Sequence, residues 1–188
     1  MRLVVGLGNP GKAYVRNRHN AGFRVVDELA RAAGWQWARK FDGEWAQGTL
    51  GTEKVGVLKP LTFMNSSGDA VAEAAGFYKV AVEEIVVVHD ELDLEFGRLQ
   101  VKRGGGTAGH NGLRSIAERL GSTDFSRIRV GVGRPPPGRD GASWVLADFS
   151  TEEEQVLEIL IPKAAEAARI AALEGAQVAM NQFNKRQT

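Results

Sequence analysis

Apolar positions along this chain fall into two rhythms. Unbroken short runs at residues 2–7 (RLVVGL) and 84–88 (EIVVV) read as strands covered on both faces, which have no polar side to show. Residues 98–102 and 127–132 read as further strands. Residues 45–50 and 54–58 flank Gly51-Thr52 and read as a hairpin. The helical rhythm starts at residues 20–33, where Phe23, Val26, Leu29, Ala30 and Ala33 share one face and Gly34 is the stop. An alanine-rich helix follows at 67–78. Another spans 111–120, with Leu113, Ile116, Ala117 and Leu120 inward and Gly121 closing it.

Residues 133–143 (GRPPPGRDGAS) are too dense in proline and glycine for either rhythm and predict a mobile surface loop. Ser150-Thr151-Glu152-Glu153 fits a capping box that opens a long C-terminal helical region, with Pro162 as its interruption. Strands alternating with helices define an α/β class, and the hairpin makes the sheet mixed. With 188 residues, no repeat and no low-complexity linker, residues 1–188 are expected to form a single domain: a mixed twisted β-sheet flanked by helices.

Composition narrows the chemistry. The chain has no cysteine, which removes disulfides, thiolate zinc sites and cysteine nucleophiles, and fits a reducing cytosol. A formal net charge of +1 means that a polyanionic partner is attracted by local patches and not by the overall field. The apolar run at residues 3–7 is too short for a signal peptide, and no stretch approaches the roughly 20 apolar residues of a membrane span. A soluble cytoplasmic protein, with no membrane partner, is expected.

Gly6, Gly8 and Gly11 spell G-x-G-x-x-G after the first strand, as in dinucleotide-binding loops. That use requires a helix starting inside the motif, yet residues 12–18 carry no apolar stripe. The acidic residue needed about twenty positions on would be Asp27, inside a helix. A nucleotide-dependent oxidoreductase is therefore the weaker alternative. The other use of the glycines is to free a tight bend that delivers side chains: Asn9 at the strand's end, and His19 just before a helix whose N-terminus would help keep the imidazole neutral. His19 as a simple capping or surface histidine is the plain alternative.

The strand at 84–88 runs into His89, Asp90, Glu91 and Asp93. These could bind a hard cation, orient a histidine from another strand end, or form a solvated acidic loop. No further ligand at helical i, i+4 spacing supports a metal, so metal ranks lowest. Asn65 and Asn111 precede or open helices, where asparagine serves as a cap, or as an amide reading a peptide backbone. There is no G-x-S-x-G elbow, so a hydrolase built on this chain would use water, a histidine base and a carboxylate.

Taken together, VGLGNPGKAYVRNRHNAG, KPLTFMNSSG, VVVHDELDLEFG and GGGTAGHNGLRSI resemble, in order and spacing, the bacterial peptidyl-tRNA hydrolase family over nearly the whole chain. The resemblance implies that family's fold and its activity, hydrolysis of the ester between a peptide and the 3′ end of tRNA, which recycles tRNA released by or stalled on ribosomes. It implies a monomer without cofactor or metal, in transient ribosome contact at most. Carried over position by position, the proton acceptor is His19, its carboxylate partner Asp90, and the ester-polarising amide Asn9. Substrate positions are Tyr14, Phe63, Asn65 and Asn111, with Met64 and His110 as neighbours. Of two basic positions that grip the tRNA 5′ phosphate, one matches Arg129; the other falls on Gln100, with Lys102 two places on and able to replace it from the same strand face. Thr107-Ala108 also departs from the family's His-Gly. A tRNA-binding patch of Lys12, Arg16, Arg18, Lys102, Arg103, Arg129 and Arg134 is expected, and a non-catalytic tRNA-binding protein is the remaining alternative. Trp35, Trp37 and Trp45 are expected in core packing.

Overall fold

A computed structural model describes residues 1–184 of the chain. The central strand β1 (Arg2–Gly6) is buried from Leu3 onward, and β5 (Ile85–Glu91) is buried along its whole length. Between them in sequence come α1 (Ala21–Ala33), β2 (Ala38–Lys40), β3 (Gly43–Leu50), β4 (Glu53–Pro60) and α2 (Ser67–Tyr78). After β5 come β6 (Leu99–Arg103), α3 (Asn111–Leu120), β7 (Ser126–Gly131), α4 (Gly141–Val145), α5 (Thr151–Glu174) and α6 (Ala176–Phe183). The strands form one seven-stranded sheet in the order β2-β3-β4-β1-β5-β7-β6. Its β4-β1-β5-β7 centre is parallel, and the β2-β3-β4 and β6-β7 pairings are antiparallel, so the mixed α/β sheet expected from the rhythms is the sheet found.

Two cores lie on opposite sheet faces. One packs Val4, Val57, Val86, Val88 and Ile128 against α1 and α5; the other packs Leu3, Val5, Leu58, Ile85 and Val87 against α2 and α3. The tryptophans divide between them. Trp45 is buried on the α2 side, whereas Trp35 and Trp37 cover the α1 side, so they pack as expected but not as one cluster.

Several boundaries depart from the rhythm. Helix α5 runs through Pro162 without interruption. Pro162 and Glu158, whose carbonyl loses its N–H partner, are on the exposed side, while Leu157, Leu160, Ile161, Ala164 and Ala165 hold the other face in the core. Residues 141–143 of the expected loop belong to helix α4, which is N-capped by Asp140, whose Oδ1 accepts the Ser143 N–H at 2.7 Å. At the far sheet edge Asn184 acts as a one-residue strand. Its side chain accepts from the Val101 N–H at 2.7 Å and donates to the Val101 carbonyl at 2.8 Å, which blunts the exposed β6 edge.

Candidate active site

The chain leaves β1 toward the β4 side of the sheet and leaves β5 toward the β7 side, so a crevice opens at the carboxyl ends of these neighbouring strands. The opening glycines serve this junction by their missing side chains more than by bending. A Cβ on Gly6 would lie 2.4 Å from the Gly22 carbonyl oxygen, and one on Gly8 would lie 2.7 Å from the Phe23 ring. Only Gly11 of the three has a positive φ, +109°. Gly22 answers from α1, where a Cβ would meet the Val88 carbonyl oxygen at 2.3 Å. The tight bend expected of all three is thus mainly close packing of α1 on the strand ends. Only single 3₁₀ turns, Lys12–Tyr14 and Arg18–Asn20, follow the motif before the first α-helix starts at Ala21, too late to face a pyrophosphate held by that loop.

Asn9 sits at the mouth of this junction, 9% exposed. Its backbone is held from both sides by one residue: the Asn9 N–H donates to Asn20 Oδ1 at 2.9 Å, and Asn20 Nδ2 donates to the Asn9 carbonyl at 2.9 Å. The Asn9 side chain is oriented by the Met64 N–H, which donates to its Oδ1 at 2.7 Å. The amide's NH₂ edge therefore has no protein partner among the described residues, and Asn9 lines a cavity of about 610 Å³. Phe63, just before Met64, sits at φ 64°, ψ 155°, a region that costs a non-glycine residue about 1–3 kcal/mol. Nothing local in the sequence marks Asn20 for this role beyond its place beside His19 in RHNAG.

His19 occupies the short 3₁₀ turn Arg18–Asn20 that runs into α1. Its Nδ1 lies 2.8 Å from Asp90 Oδ2. Asp90 does not belong to an acidic surface loop: β5 continues through Glu91, and Asp90 is 2% exposed. Its second oxygen, Oδ1, is 2.9 Å from His110 Nε2. His110 is the N-cap of α3, where its Nδ1 accepts the backbone N–H groups of Gly112 and Leu113 at 3.1 and 3.3 Å. Because Nδ1 is an acceptor, the His110 proton is on Nε2 and is donated to Asp90. Asp90 is thus an ionised acceptor between two imidazoles, and donation from His19 Nδ1–H leaves the His19 Nε2 lone pair available.

The electrostatics follow from these contacts. Burial pushes the Asp90 carboxyl upward, but His19 and His110, by charge and hydrogen bond, outweigh it and hold the group below the ordinary carboxylate value. For His19, burial is the largest single influence and favours the neutral ring; the charge and hydrogen bond of Asp90 together overcome it, and the net shift is upward. The expectation that the environment favours the neutral imidazole is corrected: burial does favour it, but Asp90 outweighs burial. His89 differs again. Fully buried, with Nδ1–H donating to the Asp90 carbonyl at 2.8 Å, it is pushed down to about 3, chiefly by burial, and stays uncharged.

His19, Asp90 and His110 bring one ligand atom each within 4.8 Å of the others, the sole such grouping among the described residues. The donor chemistry does not suit a cation. His110 Nε2 carries a proton because Nδ1 is committed to the α3 amides, and the carboxylate oxygens already accept from two rings.

Around this centre the cavity is lined by Met64 and by the exposed amides Asn65 and Asn111, with Phe63 at the rim, so the site positions from three separate strand ends do converge. Asn111 opens α3, and its side chain accepts from Arg114; the cap is His110. Tyr14 does not line the cavity but meets the Phe63 ring edge-on at 6.5 Å. Lys102 and Arg129 lie away from the lining, on the β6–β7 ribbon. Gln100 pairs in register with Arg129, and Lys102 with Arg127, so Lys102 shares their face. Arg129 is tied to Glu91 at 3.0 Å and to Gln100, and Glu91 lines the cavity. The far wall is Gly141, Ala142, Val145 and Leu146, on α4 and just after it. The expected basic patch is corrected in part: Arg18 is buried, and Arg103 and Arg134 are paired with Asp124 and Asp93.

A histidine–carboxylate pair and a free amide edge thus meet at the switch point of a parallel-centred α/β sheet. Comparison with known proteins gives the particular family. The peptidyl-tRNA hydrolase family model matches residues 3–188. The peptidyl-tRNA hydrolase of Anaeromyxobacter dehalogenans (strain 2CP-C) is 51% identical over 187 residues, covering 99% of this chain and 97% of its own. That of Geobacter sp. (strain M21) is 49% identical over 186 residues, 98% of each chain. The crystal structure of peptidyl-tRNA hydrolase from Acinetobacter baumannii superposes with a TM-score of 0.92 at 36% identity, covering 100% of this chain and 96% of that one. The chain belongs to the peptidyl-tRNA hydrolase family.

Proposed function

We propose that this protein hydrolyses the ester joining a peptide to the 3′ end of tRNA, with His19 as general base toward water. One observation carries the mechanism: His19 Nδ1 stands 2.8 Å from a buried carboxylate while its other nitrogen has no protein partner among the described residues, beside the free NH₂ edge of Asn9. Asp90 accepts the Nδ1–H and so fixes the basic lone pair on Nε2. Nε2 takes a proton as water's oxygen bonds to the ester carbonyl carbon. Negative charge gathers on the carbonyl oxygen and is met by Asn9 Nδ2–H. The tetrahedral adduct then collapses, the C–O bond to the ribose 3′ oxygen breaks, and the imidazolium returns its proton to that leaving oxygen. An activated ester lets base catalysis of about 10²–10⁴ and one oxyanion donor of about 10²–10³ carry the chemistry.

Asn65 and Asn111 hold the peptide backbone, pairing its donors and acceptors without a charge to desolvate. The same amides supply the selectivity, because a free α-ammonium opposite donors arranged for a peptide group leaves buried partners mismatched. Met64 sits in the wall, and Phe63 with Tyr14 behind it forms the rim. Lys102 and Arg129 contact tRNA phosphate outside the cavity. The protein acts in the cytoplasm as a monomer, without metal or organic cofactor and with at most transient ribosome contact; among the described residues no helix is long and apolar enough to cross a membrane. Incubation with N-acetyl-aminoacyl-tRNA and free aminoacyl-tRNA in parallel tests this. Preferential cleavage of the blocked ester is expected; binding of both with neither cleaved would make the chain a tRNA-binding protein instead.

A further inference from the structure

Arg18 immediately precedes the candidate base and is 4% exposed. Its Nη1 donates to the carbonyls of Trp144, Ala147 and Asp148 at 3.4, 3.3 and 3.0 Å, and its Nη2 meets Glu153 Oε1 at 2.8 Å. The guanidinium lies 3.5 Å from the centre of the Trp144 ring. Backbone and neighbouring side chains repeat the connection: the Arg18 N–H donates to the Ala147 carbonyl at 3.1 Å, Phe149 N–H to the Arg16 carbonyl at 3.2 Å, and Asn17 Nδ2 to Asp148 Oδ1 at 2.7 Å.

The partners have one thing in common. Trp144, Ala147 and Asp148 form the C-terminal end of α4 and the turn after it, where a helix leaves carbonyls unpaired and partial negative charge gathers. Glu153 belongs to the box that starts α5, its Oε1 also accepting the Ser150 N–H at 2.8 Å. Helix α4 has five residues, too few to be stable alone, and it gives the cavity Gly141, Ala142 and Val145. A cation buried this deeply is costly even when paired and is weak evidence of a stabilising role. What the planar fork does supply is geometry: several directions of donation and a flat face for the indole, which a lysine ammonium cannot reproduce.

We infer that Arg18 is a positioning residue that locks the cavity wall formed by α4 to the backbone bearing His19. The inference rests on the reading of His19 as the base. One tether thereby sets two parameters: where the base stands relative to the ester, and where the wall stands relative to the substrate.

The test is the steady-state kinetics of Arg18→Lys on N-acetyl-aminoacyl-tRNA, with circular dichroism and thermal melting to count folded protein. Lysine keeps charge and length but loses the fork. A displaced base costs about tenfold to hundredfold in kcat, and KM is expected to rise with it. Trp144→Leu, which removes the stacking face without touching the cavity lining, should produce a smaller loss of the same kind, and the double variant should be no worse than Arg18→Lys alone. Wild-type kcat and KM in folded Arg18→Lys, with only a lower melting temperature, would overturn the tether, as would additive losses in the double variant. His19→Ala in the same assay separates the two readings. An inactive His19→Ala beside an unimpaired Arg18→Lys removes the tether alone, whereas an active His19→Ala removes the base assignment.

Discussion

Asp90 governs the proton inventory of the site. It holds one imidazole at Oδ1 and another at Oδ2, and its ionised form is favoured by both. The carboxylate's held-down value stabilises the fold above the ordinary carboxylate range, and that contribution is lost as pH falls through the folded-state value. His19 carries the opposite sign: raised from 6.5, it adds stability below that value and loses it as pH climbs through its own. The proposed role of His19 as base needs the neutral ring, so the acid limb of kcat/KM is expected above histidine's ordinary value. Asp90→Asn removes the charge that outweighs burial, and the remaining burial favours the neutral form. The acid limb should then move to lower pH while the maximal rate falls by about 10²–10⁴. A pH–rate profile of Asp90→Asn whose acid limb stays put or moves upward would contradict the pairing. At this scale the sequence identified types and order, since His19, Asp90 and Asn9 stand in distinctive motifs. It could not reveal that His110 spends Nδ1 on a helix cap and so must give its proton to Asp90, because that depends on α3 meeting β5 in space.

At the scale of elements, rhythm succeeded where burial is complete and failed where tertiary contact overrides local preference. Strands β1 and β5 are apolar runs because both their faces are covered. Asp90 and Glu91, polar by type, belong to β5 all the same, because ladder pairing with β7 continues to Gly131. Helix α5 carries Pro162 because the proline's side is exposed and the opposite face is core. Pro162→Ala restores one backbone hydrogen bond and a residue of high helix propensity, at the cost of a looser unfolded chain. A net gain of about 1–2 kcal/mol is expected, which for a chain of this length raises the melting temperature by about 2–8 °C. A lower melting temperature would mean that the α5 packing requires the proline itself. Helix α4 was hidden for a different reason: its ends are met by Asp140 on one side and by Arg18 on the other, and Arg18 stands 126 residues from Trp144 in sequence.

At the scale of the whole molecule, the sheet's order brings distant motifs together. Chain reversal around β1 and β5 sets Asn9, His19, Met64, Asp90 and His110 around one cavity, and no spacing within the sequence encodes that convergence. The charge distribution is equally a property of the folded chain. Arg18, Arg103, Arg129 and Arg134 are paired with carboxylates, whereas Lys12, Arg16 and Lys102 are exposed without an ion-pair partner among the described residues. Lys12→Ala and Lys102→Ala should each make the slope of log affinity for tRNA against log salt shallower by about 0.7–0.9; unchanged slopes would place the tRNA elsewhere. The central claim is tested most directly by single-turnover cleavage of N-acetyl-aminoacyl-tRNA by His19→Ala, with substrate binding measured on the same preparation. Loss of the base is expected to slow cleavage by at least about 10²–10⁴ with affinity for the substrate retained. Cleavage at the wild-type rate would contradict it.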